Sequence, residues 1–404
     1  MKKQFFISIL ILVITTTIIC LGWTPATCLQ PDSYFYEGAA QNLLKGNGYS
    51  VISRTTGELT PFTHYPPLTS CAVALIMFIT GCSSYFAFRL ISIITFSAIS
   101  ILVFNSITNG KKENIIWGIL GSLCLIFSRP LIHVFFLEQS EPIFLLLIIL
   151  NALCIDKYIK APSFKYIFLL GLITSLAFLA RYSGVYLVIS NSLILILNKS
   201  ETIKKRIFNI LQYGFIFSIT FFSWFIRNFY VSGELHDHHM EEGLLDRIIL
   251  GIREITLIIL PGSIPPILRY PAFIAFFLIC FYFIYLCKKS NSTSNTNTKQ
   301  QTLATILYTQ SFIYLLFQII MCFIILTRLH TRTLSPFYLC LFFAIFMSIS
   351  QYCSDAINKK IKYAFIIIIS LFVAFSFLRA SEIIYENIQK NNSSLNQIDK
   401  NEQL

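Results

Sequence analysis

Asp32 and Glu141 are the two carboxylates most favourably placed for chemistry in a chain with only 19 acidic residues among 404. Asp32 lies in Pro31-Asp32-Ser33-Tyr34-Phe35-Tyr36-Glu37, just after the first long apolar run, and Glu141 opens a later run through Glu138-Gln139-Ser140-Glu141-Pro142. A carboxylate held at a membrane surface can act as a general base toward a hydroxyl. With a reference pKa of about 3.9 an aspartate is a weak base, so that role calls for burial or an acidic neighbour. Asp32 also reads as a helix N-cap, and the two roles are compatible. Glu141 could meet a polar ligand, or it could answer the macrodipole of a helix with Pro142 in its first turn; Glu138 is the substitute candidate.

Arg181, Arg227, Arg328 and Arg332 border apolar runs and could ligate an anion. Each alone also reads as a snorkelling side chain, and Arg89 is a weaker candidate. His64, in the rigid His64-Tyr65-Pro66-Pro67 turn, would shape a pocket floor. Tyr34, Tyr36, Tyr182 and Trp224 could stack on a ligand or sit in an aromatic belt. Adjacent residues seldom converge on one tetrahedral ion, so His236-Asp237-His238-His239 reads as a solvated loop and no metal site is indicated.

The elements that must hold these residues follow from composition. The chain is 55% hydrophobic with mean hydropathy +0.70, and its uncharged runs match a hydrocarbon core of about 30 Å. Long Ile/Leu/Phe runs without alternation exclude a barrel, leaving an all-α, polytopic helix bundle. The net charge of +12 is scattered among loops, so no nucleic-acid partner is expected. The eleven cysteines show no CxxC pair and imply no disulfide framework. The first apolar run exceeds a signal-peptide core of about 7–15 residues and is expected to be an uncleaved anchor.

Hydropathy places spans near 4–23, 86–107, 115–136, 142–157, 166–180, 182–198, 207–226, 271–287, 302–326, 335–353 and 363–379, about eleven helices. Leu68–Gly81 is short, follows Pro66-Pro67 and reads as interfacial or re-entrant. With the N-terminus cytoplasmic, each inner loop then carries lysines, as at Lys111/Lys112, Lys199/Lys204/Lys205 and Lys359/Lys360/Lys362. The candidate arginines and all six histidines fall at or near the outer face. The chain reads as one membrane domain, 1–404, with outer loops at 24–67 and 227–270 and a polar tail at 380–404. In the first loop, Phe35/Tyr36, Ala39/Ala40 and Leu43/Leu44 form one helical stripe ended by Gly46-Asn47-Gly48. In the second, Glu241–Leu260 reads as another surface helix.

The order of motifs resembles the GT-C membrane glycosyltransferases, in particular the protein mannosyltransferase and lipid A aminoarabinose transferase branch. The matching pieces are Asp32 to Tyr36, Asn42 to Ser50, His64 to Leu68, Glu138 to Pro142, Ala180-Arg181-Tyr182-Ser183-Gly184, Trp224 to Asn228, and Arg328 to Pro336. The resemblance implies an inverting transferase that moves a sugar from a polyprenyl-phosphate donor to a glycan, lipid or protein acceptor. It would act on the outer face of a plasma membrane, by default a bacterial inner membrane. Asp32 would be the base, Glu141 a second acidic residue, and Arg181, Arg227, Arg328, Arg332, His64 and Tyr36 would meet donor and phosphate. Many relatives carry a second acidic residue beside the first, where this chain has Ser33, so metal chelation there is not indicated and no cofactor is expected. The alternatives are a transporter or flippase of lipid-linked intermediates, which would place ionisable groups near mid-bilayer, and a non-catalytic member of the family.

Overall fold

Backbone amides cannot be left unpaired in hydrocarbon, and this chain pairs them almost wholly within helices. The computed structural model describes residues 2–53, 56–232, 253–254, 256, 264–275, 278, 282, 285, 302–324, 329–355 and 359–402. In chain order the helices are α1 (Lys2–Gly22), α2 (Pro25–Cys28), α3 (Pro31–Leu44), α4 (Leu68–Thr80), α5 (Ser84–Thr108), α6 (Ile115–Ile126) and α7 (Arg129–Phe135). They continue with α8 (Glu141–Lys160), α9 (Phe164–Ala180), α10 (Tyr186–Leu197), α11 (Ile203–Ser232), α12 (Thr302–Ile324), α13 (Ser335–Asp355) and α14 (Lys359–Glu402). The protein is a multi-pass membrane helix bundle.

Six helices among the described residues, α1, α5, α8, α11, α12 and α14, are long and apolar enough to cross a bilayer. The α6–α7 pair adds a seventh if taken as one broken span, while α4, α9, α10 and α13 are shorter apolar helices. The count of about eleven therefore does not emerge from length alone, and most of the span expected at 271–287 lies outside the described residues.

Three local features depart from the sequence reading. The span expected as continuous over 115–136 bends by 61° between α6 and α7, because Pro130 cannot donate a backbone hydrogen bond to the preceding turn. The polar tail expected from 380 is instead the continuation of α14. Ala380 and Ile383 are buried, and Asn387 Nδ2 donates to the Gly22 carbonyl at the end of α1 (2.8 Å). These positions, spaced by three and four, form a stripe that average polarity conceals. The first loop also holds a small antiparallel hairpin, β1 (Ser50–Ile52) and β2 (Leu59–Pro61), with Val51 opposite Thr60.

The bundle is pinned by a neutral polar network. Asn151 Nδ2 donates to Thr174 Oγ1 and Asn191 Nδ2 to the Tyr213 hydroxyl, each at 3.0 Å, while Gln310 Nε2 reaches Asn151 Oδ1 at 2.9 Å. These residues come from α8, α9, α10, α11 and α12, so the amides fix helix register where the hydrophobic effect discriminates least.

Candidate active site

The start of α3 sets the position of Asp32. Pro31 supplies a preset φ at the first turn. The Gln30 backbone N–H donates to Ser33 Oγ (2.9 Å), whose own hydroxyl donates to the Glu138 carbonyl (2.8 Å). Capping therefore falls to Gln30 and Ser33, and Asp32 occupies the first turn, where the helix dipole favours a carboxylate. Ser33 is fully buried in these bonds. An acidic side chain there would be an unpaired buried charge, which gives a structural reason for serine at this position.

Asp32 Oδ1 accepts the Tyr65 hydroxyl (3.0 Å) and Oδ2 meets Arg332 Nη2 (3.1 Å). The sequence reading asked for burial or an acidic neighbour; the structure leaves Asp32 partly exposed and supplies a cation and a phenol. Arg332 also donates through Nη1 to Gln139 Oε1 (2.6 Å) and reaches Glu141 Oε1 through Nε (3.1 Å). Glu141 Oε1 lies 2.6 Å from Arg181 Nη1, which also donates to Ser140 Oγ (3.0 Å). The result is an alternating chain of charges, Asp32, Arg332, Glu141, Arg181, with no net charge. Its members differ in access: the Asp32 and Arg332 side chains are 25% and 26% exposed, while Glu141 is 2% exposed. Asp32 and Arg332 can meet a ligand, and Glu141 holds two guanidinium groups from below.

Each arm of the cluster has a local cause. Between the spans expected at 166–180 and 182–198, a short 3-10 turn over Tyr182–Val185 follows Arg181. A Cβ on Gly184 would come within 2.6 Å of the Ala177 backbone, so only glycine allows α9 and this turn to meet. Arg332 sits in the turn before α13, where Ser335 Oγ donates to the Arg332 carbonyl (2.7 Å) and Thr331 Oγ1 to Glu254 Oε2 (2.6 Å). Tyr36, one turn along α3 from Asp32, donates to Ser140 Oγ (3.1 Å) and stacks on Tyr65 at 5.1 Å. Burial pushes both phenols well above their usual pKa, and the Asp32 carboxylate raises Tyr65 further, so both remain neutral donors.

A family model described as dolichyl-phosphate-mannose-protein mannosyltransferase matches residues 64–226. Among solved structures, ArnT from Cupriavidus metallidurans bound to undecaprenyl phosphate superposes with a TM-score of 0.53 at 11% identity, covering 93% of this chain and 64% of that one. The chain shares the fold of this ArnT structure. The same ArnT in the apo state gives 0.43 at 10% identity, covering 85% of this chain and 75% of that one. The S. cerevisiae protein O-mannosyltransferase Pmt1-Pmt2 complex bound to the sugar donor gives 0.44 at 14%, covering 65% and 37%. The chain thus spans less than two thirds of the Pmt1-Pmt2 chain and of the undecaprenyl-phosphate-bound ArnT chain. No curated protein matches it in sequence.

The cluster gathers Asp32, Glu141, Arg181, Arg332 and Tyr36, and places the other candidates elsewhere. Arg227 Nη1 donates to the Phe62 carbonyl (2.6 Å) and Nη2 to the Tyr49 carbonyl (3.0 Å), with its guanidinium over the Tyr49 and Trp224 rings. It fastens the hairpin to α11. Arg227→Met should leave two carbonyls without these donors, lowering thermal stability by about 1–3 kcal/mol and speeding proteolysis at 50–62; an unchanged digestion pattern would contradict that role. Trp224 Nε1 donates to the Tyr182 hydroxyl (3.0 Å), which reaches the Thr63 carbonyl (3.0 Å), and Arg89 donates to the Cys20 carbonyl (2.8 Å). His64 packs edge-on to Tyr65 at 4.6 Å and lines an open groove of about 310 Å³ beside the hairpin. Arg328, the 236–239 histidine loop and most of the expected 241–260 helix lie outside the described residues. Among the described residues no three His, Cys, Asp or Glu side chains form a metal-sized group.

Two contributors escaped the sequence reading. Gln139 lies between the two glutamates of the quoted motif, and Tyr65 follows His64; adjacency to charged or aromatic partners was their only signal. Glu138, the substitute candidate, lies outside the cluster, buried 3.4 Å from the Cys28 thiol. Burial pushes its carboxyl up to about 7, with Glu37 adding to the rise and the thiol opposing it. A raised carboxyl keeps its proton longer in the folded state, so stability should fall as pH rises from about 4.5 to about 7 and level off above. Glu138→Gln should remove that slope, worth on the order of 2–3 kcal/mol, in thermal unfolding measured from pH 4.5 to 8. A slope retained in the variant would assign it to another group.

Proposed function

We propose that this protein is a membrane glycosyltransferase that moves a sugar from a polyprenyl-phosphate donor to a glycan, lipid or protein acceptor at the outer face, inverting the anomeric centre. The observation that carries this reading is the accessible Asp32 carboxylate joined through Arg332 to the buried Glu141–Arg181 pair. A polyprenyl donor keeps its tail in lipid and its phosphate at the interface, and the end of a helix bundle is where such a centre must lie. The undecaprenyl phosphate in the ArnT structure is consistent with a donor of this class.

In the reaction the acceptor oxygen attacks the anomeric carbon from the face opposite the phosphate. Asp32 takes the hydroxyl proton while the carbon–oxygen bond to phosphate breaks and the phosphate leaves with the electron pair. Arg332 connects the two halves. Paired with Asp32, it offsets the carboxylate in the unliganded protein; a donor phosphate within its reach competes for the guanidinium and releases Asp32 for the acceptor. Glu141 and Arg181 fix the Arg332 side chain so that little reorganisation is needed. Tyr36 and Tyr65 present neutral hydroxyls and ring faces to a sugar.

The test is to supply membranes containing the protein with a panel of polyprenyl-phosphate monosaccharides and measure free polyprenyl phosphate and product anomer by mass spectrometry and NMR. Release of the lipid phosphate with an inverted product supports the reading. Retention of configuration would remove the single-displacement mechanism, and movement of intact donor across vesicles without cleavage would favour a flippase.

A further inference from the structure

Arg332 reaches the cluster from a turn, and a turn holds a guanidinium in place only as well as the turn itself is held. Residues 330–335 are closed by their own bonds. The Leu334 N–H donates to the His330 carbonyl (3.1 Å), the His330 N–H to Thr333 Oγ1 (3.0 Å), and the N–H and hydroxyl of Ser335 to the Arg332 carbonyl (3.1 and 2.7 Å). Beyond Arg332 the turn is tied to α12, where the Tyr314 hydroxyl donates to the Thr333 carbonyl (2.6 Å) and accepts from Gln318 Nε2 (2.7 Å).

Before Arg332 the turn is tied to a different part of the chain. Glu254 stands 77 positions ahead of Thr331, in the second outer loop, and its Oε2 accepts both the Thr331 N–H (3.2 Å) and the Thr331 hydroxyl (2.6 Å). The segment that carries Glu254 is itself anchored: Thr256 is buried, and its hydroxyl donates to the Arg253 carbonyl (2.7 Å). The carboxylate does not pair with Arg332, whose ion pairs among the described residues are with Asp32 and Glu141. It grips the neighbouring residue instead, at the backbone and at the side chain together. Bonds to a charged acceptor are roughly twice as strong as neutral ones. Arg332 must reach Asp32, Gln139 and Glu141 at once, so its backbone has little freedom to shift without losing one of them.

We infer that Glu254 is a positioning residue for sugar transfer, through which the second outer loop sets the Arg332 guanidinium between Asp32 and the donor phosphate. The inference rests on the phosphate role proposed above for Arg332. It gives the second outer loop a task in the reaction without placing Glu254 in contact with substrate. The role calls for an acceptor oxygen and not for a negative charge, since one oxygen takes both Thr331 bonds; the amide oxygen of a glutamine would serve.

The test is a double-mutant cycle on the full chain in membranes, with a polyprenyl-phosphate monosaccharide as donor. Glu254→Ala should lower kcat/KM by about tenfold to 100-fold, the scale of a displacement of about 1 Å at a reacting group. It should also raise the donor KM and leave thermal stability close to wild type. Glu254→Gln should recover most of the loss. In an Arg332→Met background Glu254→Ala should change transfer by about twofold at most, because the residue it positions is gone. An equal loss in both backgrounds would overturn the inference, as would wild-type kinetics in Glu254→Ala or a loss of stability alone. Where Glu254→Ala does not fold, Thr331→Val, which deletes only the hydroxyl bond, takes its place in the cycle. Hydrogen exchange over 329–335 gives a readout that needs no transfer: it should speed in Glu254→Ala and stay near wild type in Glu254→Gln. Unchanged exchange in Glu254→Ala counts against the Glu254 contact, and a wild type that transfers no sugar counts against the proposed reaction, so the two failures are read separately.

Discussion

Asp32→Asn should lower sugar transfer by about 100-fold to 10,000-fold while leaving membrane level and thermal stability close to wild type, the range expected when a general base is removed. The substitution keeps the shape, with the amide oxygen placed to accept from Arg332 and the amide nitrogen to donate to the Tyr65 hydroxyl oxygen, so the local geometry should persist. What it removes is the capacity to take a proton. It also removes the charge that competes with a donor phosphate for Arg332, so donor affinity should be unchanged or tighter. A purely structural Asp32 would give the opposite pattern, with lost stability, weakened donor binding and a modest change in rate. The check is transfer rate and donor KM on matched amounts of folded protein, and a rate within a few-fold of wild type would sink the base assignment.

Arg332→Met should lower transfer by about 100-fold to 1,000-fold, the usual loss when a fixed donor to a developing oxyanion is deleted, and should raise the donor KM as well. Methionine keeps much of the volume, Glu141 retains Arg181, and Asp32 retains Tyr65, so the fold should survive. Arg332→Lys should recover only part of the activity. A single ammonium cannot reproduce the fork that reaches Asp32, Gln139 and Glu141 together. The two variants therefore differ in kind: loss of Asp32 lowers kcat without weakening donor binding, and loss of Arg332 lowers kcat and weakens donor binding. Normal donor KM in Arg332→Met would place the phosphate elsewhere.

Much of this arrangement was legible because membrane solvation writes strong patterns. The Tyr36/Ala39/Ala40 stripe gave the buried face of α3, and Gly46 and Gly48, both at positive φ, gave its end. The Arg181 turn was visible as a polar break in a run too long for one helix. Asp32, Glu141, Arg181 and Arg332 were each legible as types, but their pairing was not, since Asp32 and Arg332 are 300 positions apart and no local periodicity records such a contact. Arg227 misled for a related reason. A guanidinium at a helix end looks alike whether it awaits a phosphate or holds the carbonyls of Tyr49 and Phe62. The continuation of α14 beyond 379 was hidden because a one-sided contact with α1 needs apolar residues at only every third or fourth position.

The central claim is that an accessible carboxylate beside a fixed arginine transfers sugar from a lipid phosphate. The most direct measurement is mass spectrometry of surface glycans, glycolipids and glycoproteins from cells carrying the wild type or Asp32→Asn at equal membrane levels. A sugar increment present with the wild type and absent with the variant is the predicted result, and it would identify sugar and acceptor together. Indistinguishable profiles from the two would contradict the account.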